Sequence, residues 1–132
     1  MQIMEWIEKS RYEITTRDYA LHINILGRLK GIDEVEKYFD SIPSDGKDLS
    51  VYGALLYCYC SDFAIDKAEA IYKKLDEMGY GSSVLNFGSL MSMYLKGGQP
   101  EKVPALVEEM KLRNIPLNGY IYGIWIQSYW IR

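Results

Sequence analysis

Four short patches recur along the chain: Asp18-Tyr19-Ala20, Val51-Tyr52-Gly53, Asn86-Phe87-Gly88 and Ile121-Tyr122-Gly123. Their aromatic residues are spaced by 33, 35 and 35 positions. A second series keeps the same phase, with Ile32-Asp33-Glu34-Val35, Ile65-Asp66-Lys67-Ala68 and Pro100-Glu101-Lys102-Val103 in register. Beyond it Phe39, Tyr72 and Val107 align, followed by Ile42, Leu75 and Met110. Independent columns that share one period are the signature of a repeat array. A unit of this length cannot bury its own apolar face, so it must stack on its neighbours.

Each unit reads as two helices. The first runs from just before the aromatic residue to about Leu29, Cys60, Lys96 and the C-terminus, with apolar residues at helical spacing such as Tyr52, Leu55, Leu56 and Tyr59. The second starts near Asp33, Asp66 and Glu101, where acidic side chains suit the positive end of the helix dipole. Gly31, Ser61-Asp62 and Gly97-Gly98 mark the turns inside the hairpins. Pro43, Gly79 and Pro116 follow the second helices and stop them. Pro104 lies one turn inside a second helix, where a kink or a frayed first turn is expected. The resulting layout is a half repeat over 1–15, repeats over 16–48, 49–83 and 84–118, and a half repeat over 119–132, all in one domain. With Trp125 and Trp130 placed where a following helix would meet them, the expectation is a piece of a longer array or a truncated gene product.

Composition narrows the chemistry. Of 132 residues 48% are hydrophobic and 25% charged, enough for a buried core. A net charge of -3 does not suit a protein that grips duplex DNA through its phosphates. The charge is uneven, however. The first-helix segments (16–30, 49–62, 84–98 and 119–132) carry +2, -1, +1 and +1, and the remainder about -6. No apolar run reaches the ~18 residues of a membrane span. The acidic amphipathic start, Met1 to Glu8, is neither a signal peptide nor an Arg-rich transit peptide. Cys58 and Cys60 lie two apart on a helix and point to different faces, which suits neither a disulfide nor a metal clamp. They read as small core residues of a reduced, intracellular chain.

The repeat columns resemble the pentatricopeptide repeat proteins of plant organelles, most closely the P-type arrays of mitochondrial members. The matching phrases are Tyr52-x-x-Leu55-Leu56-x-x-Tyr59, Asp66-Lys67-Ala68-x-x-Ile71-Tyr72-x-x-Leu75 and Gly79, and in the third unit Phe87-x-x-Leu90-Met91-x-x-Tyr94, Gly98, Glu101-Lys102-Val103 and Leu106 to Met110. The Trp-Leu-Gly-Tyr and downstream Pro pattern of tetratricopeptide repeats is not seen. The resemblance implies an all-α fold, a right-handed α-solenoid of antiparallel helical hairpins with first helices along a concave wall. It implies single-stranded RNA as partner, one base per repeat read by two or three side chains. It also implies the mitochondrion, with the chloroplast as alternative.

Carried over residue by residue, the main readers are Ala20, Gly53, Gly88 and Gly123, the residues after each aromatic. None has a side-chain donor or acceptor, so no base sequence follows from them. The second readers, the last residue of each repeat, are Asp48, Ser83 and Asn118. The positions that pack beside a base are Arg17, Ser50, Leu85 and Tyr120. Arg28 and Lys96 stand where the family often places a cation for phosphates, and Ser61 breaks that series. The glycines have two readings: close packing of first helices, or room for a base contacted without being discriminated.

The remaining candidates read as structural. His22, the single histidine, aligns with Leu55, Leu90 and Trp125 and supplies neither a triad nor a metal site. Asp33-Glu34-x-Glu36 and Glu108-Glu109 lie on second helices, as a solvated outer face rather than a cleft. Gly97-Gly98 lacks the Lys-Ser/Thr of a phosphate loop. Tyr57 and Tyr59 read as packing between helices rather than a stacking platform. The chain is therefore read as non-enzymatic, without cofactor, metal, membrane contact or small-molecule substrate. The resemblance implies that it binds organellar transcripts; the alternative expectation is a protein-interaction scaffold in an organellar ribonucleoprotein or ribosome assembly.

Overall fold

The computed structural model describes residues 16–131, with side chains from Asp18 to Trp130. The half repeat expected over 1–15 lies outside the described residues, as do Arg132 and the side chain of Arg17. Among the described residues there are seven α-helices, two 3-10 turns and no strand. The helices are α1 (Thr16–Leu29), α2 (Ile32–Ser41), α3 (Leu49–Ser61), α4 (Ile65–Glu77), α5 (Val84–Lys96), α6 (Val103–Leu112) and α7 (Gly119–Ile131). Odd-numbered helices are the first helices of the repeat and even-numbered ones the second. The fold is thus the all-α hairpin repeat that the period implied. The chain divides between Cys58 and Tyr59, inside α3, into two compact units, which are described in turn.

In the first unit the hairpin of α1 and α2 closes at Gly31, whose φ of +94° only glycine adopts without strain. Ile23 and Val35 are fully buried. Burial of such side chains stabilises by about 1.5–3 kcal/mol each. His22 is 2% exposed and shares a hydrogen bond between its Nδ1 and the Tyr38 hydroxyl, so this core histidine has a polar partner. At Gly27 of α1 a side chain of α3 stands close: a Cβ there would lie 2.9 Å from Cys58 Sγ. The rings of Phe39 and Tyr52 meet edge to face at 5.4 Å and tie α2 to α3.

The second unit repeats the device one period later, with Tyr72 of α4 and Phe87 of α5 edge to face at 5.7 Å. Its core is Ala68, Leu75, Phe87, Met91, Val103, Val107, Met110 and Ile121. Lys67 lies 5.9 Å from the Tyr59 ring centre, and Lys102 lies 5.0 Å from that of Tyr94 at the equivalent position. The Tyr94 hydroxyl donates to Glu69, which also faces Lys102 at 3.8 Å. Arg113, just after α6, forks onto Asp76 through Nη1 at 2.7 Å and Nη2 at 3.0 Å, and donates from Nε to Glu109 at 2.7 Å. Glu109 is thus half of an ion pair while its side chain stays part-exposed to solvent. The Arg113 bond holds the Asp76 carboxyl below its ordinary value of 3.8.

Two turns differ from the expected chemistry. In the middle hairpin the left-handed residue is Phe63, at φ +55°, where the next repeat has Gly98 at +88°. After α6 the left-handed stop is Asn114 at φ +58°, equivalent to Gly79 at +88°. In both stops the following amide reaches back into the helix: Tyr80 N donates to Leu75 O at 2.8 Å and Ile115 N to Met110 O at 2.9 Å. The expected fray at Pro104 takes a definite form. Pro100–Lys102 makes a 3-10 turn and the α-helix starts only at Val103, so Pro104 lies in a first turn that needs no amide donor there.

Candidate nucleic-acid interface

Among the first helices, α5 buries most of its circumference and leaves one stripe open. On α5, Phe87, Gly88, Leu90, Met91, Met93, Tyr94 and Leu95 are buried. Leu85 and Lys96 are exposed, and Ser89 and Ser92 are half-buried between them. The spacing i, i+4, i+7, i+11 puts these four on one face. On α1 the same face carries exposed Leu21, Asn24 and Arg28. On α3 it carries exposed Ser50, Tyr57 and Ser61, interrupted by buried Ala54. On α7 it carries exposed Tyr120 and Gln127, interrupted by buried Ile124.

The structure sorts the expected site residues into groups. Leu85 is 82% exposed and Tyr120 52% exposed, each in the first turn of its helix, where an apolar face meets water. Arg28 and Lys96 are the exposed cations of the last turns of α1 and α5. There they also complement the negative end of the helix dipole.

The three expected second readers share a structural duty: all are N-caps. Asp48 Oδ1 accepts from the amides of Ser50 at 3.0 Å and Val51 at 3.3 Å, at the start of α3. Ser83 Oγ accepts from Asn86 N at 3.4 Å at the start of α5. Asn118 Oδ1 accepts from Ile121 N at 2.9 Å at the start of α7. A cap of this kind contributes about 0.5–2 kcal/mol. Asp, Ser and Asn are residue types that helix capping favours, and each cap engages one side-chain oxygen. An Asp, Ser or Asn directly before an apolar run is the sequence signal for this role.

The expected main readers divide. Ala20, Gly53 and Gly123 are half-buried, whereas Gly88 is buried. A Cβ at Gly88 would meet Ile121 Cδ1 of α7 at 3.6 Å, an ordinary contact, and one at Gly123 would meet nothing within 4 Å. Close packing therefore does not demand glycine at either position. It does so elsewhere, at Gly46 and its repeat equivalent Gly81. A Cβ at Gly46 would lie 2.8 Å from the Tyr19 ring, and one at Gly81 would lie 2.1 Å from Asp76 Oδ1.

Two further positions bear on the surface. Tyr59 is buried, as expected, but Tyr57 is 55% exposed on the open stripe and is not helix packing. The column Asn24, Tyr57, Ser92 and Gln127 escaped the motif comparison, although the stripe's own periodicity identifies it. Both thiols are buried and free, and burial raises Cys58 to about 11 and Cys60 to about 12. Among the described residues no group of His, Cys, Asp and Glu is placed to hold a metal ion, and no helix is long and apolar enough to cross a membrane.

Comparison with known proteins fits this geometry. The PPR repeat family matches residues 50–80 and 86–115, which are the two hairpins α3–α4 and α5–α6. Two mitochondrial pentatricopeptide repeat-containing proteins of Arabidopsis thaliana are each 40% identical over 128 residues. These alignments cover 96% and 97% of this chain, and 24% and 26% of those proteins. A third, also mitochondrial, is 32% identical over 98% of the chain and 24% of its own length. The chain belongs to the pentatricopeptide repeat family. It spans about a quarter of the length of these relatives. Their names group it with the plant mitochondrial members, and the mitochondrion is its compartment. Pentatricopeptide repeat proteins generally bind RNA.

Proposed function

We propose that this pentatricopeptide segment binds single-stranded RNA of mitochondrial transcripts and holds it without reacting on it. The observation that carries the reading is the open face of α5. It starts with an apolar side chain, Leu85, that is 82% exposed, and ends in an exposed cation, Lys96. Tyr120 recurs one period after Leu85, and Arg28 stands at the Lys96 position of α1. An apolar surface beside a base and a cation toward a phosphate are the two elements a single strand needs. The catalytically suggestive residues have other partners: His22 shares a hydrogen bond with Tyr38, and Glu109 pairs with Arg113.

The test is fluorescence anisotropy of a labelled single-stranded RNA pool titrated with the chain across a salt series. Binding is expected at low salt and weakens with added salt. Each cation that neutralises a phosphate adds about 0.7 to the logarithmic salt slope. Lys96→Ala and Arg28→Ala each remove one such increment. A chain that binds no RNA at low salt, beside a longer array that does, overturns the proposal for this segment.

A second reading, a protein-interaction scaffold in an organellar ribonucleoprotein or ribosome assembly, is favoured by one observation. The exposed side of α7 carries Tyr122, Ile126, Tyr129 and Trp130, and Trp130 is 82% exposed. Apolar side chains grouped on one surface are a common mark of protein contacts. Partners that stay bound through nuclease treatment of an organelle extract would support this reading. Partners released by RNA digestion would count against it.

A further inference from the structure

The open stripe has one column with a hydrogen-bonding tip in every repeat. The head column is Arg17, Ser50, Leu85 and Tyr120, and Leu85 has no polar atom in its side chain. The tail column is Arg28, Ser61, Lys96 and Ile131, and Ile131 has none. Between them stand Asn24, Tyr57, Ser92 and Gln127. Asn24, Tyr57 and Gln127 are exposed and Ser92 is half-buried on the same face. Asp48, Ser83 and Asn118 are open to a similar degree, but each commits a side-chain oxygen to a helix cap. The column of Ala20, Gly53, Gly88 and Gly123 has no side chain able to read a base.

We propose that base identity in this segment is sensed by Asn24, Tyr57, Ser92 and Gln127, one helical turn beyond the residue the family motif would assign. The inference rests on the RNA-binding reading above. The geometry of α5 supports it. Ser92 stands four residues beyond Gly88, about 6 Å along the helix axis, with Leu85 about 10 Å to one side and Lys96 about 6 Å to the other. Gly88 itself is buried toward Ile121 of α7, so its column puts no side chain between Leu85 and Ser92 on the open face. A base resting on Leu85 can direct its edge toward Ser92. The tips differ in what they can discriminate. The amides of Asn24 and Gln127 donate and accept at once and suit a base edge presenting both. Ser92 makes a single hydrogen bond. Tyr57 offers a ring face for stacking and a hydroxyl tip.

The experiment selects bound sequences from a random single-stranded RNA pool with the 132-residue chain and with Asn24→Ala, Ser92→Ala, Gln127→Ala and the triple variant. Anisotropy on homopolymeric RNAs across a salt series runs beside it. These positions lie on the open face, and far-UV circular dichroism checks that each variant is folded. The expected result is a preference for particular bases that falls by about 2- to 10-fold per substituted position, the size of one hydrogen bond. The salt slope stays unchanged. A triple variant with the wild-type preference overturns the inference, as does a preference that follows substitutions at Asp48, Ser83 and Asn118 instead. So does a wild-type chain with no preference at all. If Lys96→Ala still weakens binding in those cases, RNA binding stands and only the assignment of readers fails. Absence of RNA binding overturns both.

Discussion

Replacing Gly88 by alanine will stabilise the protein, while the same change at Gly81 will destabilise it. Both glycines are buried, and the difference lies in what a methyl group would meet. At Gly88, inside α5, the nearest atom is Ile121 Cδ1 at 3.6 Å, so the methyl enters an ordinary contact. Removing glycine from a helix interior gains about 1 kcal/mol, and burying one more methyl adds up to about 0.8 kcal/mol. A net gain near 1 kcal/mol raises Tm by about 3–5 °C for a domain of this size. At Gly81 the Cβ would sit 2.1 Å from Asp76 Oδ1 and 2.7 Å from its Cγ. That carboxylate cannot swing away without breaking its fork to Arg113, at 2.7 and 3.0 Å. Relief therefore costs either the ion pair or the loop, about 1–3 kcal/mol as for other overpacked sites. Gly123→Ala, with nothing within 4 Å, serves as the control that isolates helix propensity. Thermal and urea unfolding followed by far-UV circular dichroism reads all three. If Gly88→Ala loses stability while Gly123→Ala gains it, close packing is the reason for that glycine and the distance argument is wrong.

Other consequences can be checked in the same material. Arg113→Ala will cost about 1–2 kcal/mol, limited because Asp76 and Glu109 are 38% and 43% exposed and water replaces part of the loss. Arg113→Lys will not rescue it, because an ammonium group cannot form the bidentate fork. The Asp76 carboxyl titrates below its ordinary 3.8 in the folded chain, so the unfolded chain binds the extra proton. Its contribution is full above the unfolded value and is lost as pH falls through the folded one. Acid unfolding of the Arg113→Ala variant will therefore begin at higher pH. Cys58 and Cys60, raised to about 11 and 12, will react with a thiol reagent at neutral pH only after denaturation; rapid labelling of the native chain would contradict their burial. Phe63→Gly will stabilise by up to about 1 kcal/mol by relieving a left-handed backbone at φ +55°, and an unchanged Tm would show that ring contacts offset the relief.

The period of the aromatic column was sufficient to determine the helical hairpins. A repeat of 33 to 35 residues with apolar positions at helical spacing leaves few alternatives, and α1, α3, α5 and α7 each contain one of the four patches. The family was legible for the same reason, since its motif consists of those packing columns. Helix stops at Gly79 and turns at Gly31 were legible because glycine adopts a left-handed backbone without strain. The left-handed Phe63 and Asn114 were not, because residue type only biases such a conformation and the surrounding turn imposes it.

The candidate interface was less legible than the fold. The residues at the reader positions are plain in the sequence, but their duties are not. Whether Asp48, Ser83 and Asn118 face a base or cap a helix depends on where the helices begin, to the residue. Whether a glycine is required depends on which atoms the fold brings against it, such as the Asp76 carboxylate at Gly81 or the Ile121 methyl at Gly88. Tyr57 and Tyr59 look alike in a chain of many tyrosines, yet one faces water and the other the core, because two residues along a helix turn a side chain by more than half the circumference. The sequence by itself determined the repeated helices, since these follow from local periodicity. Only the tertiary structure decided which face stays open and which polar side chains remain on it, since exposure depends on the packing of other helices.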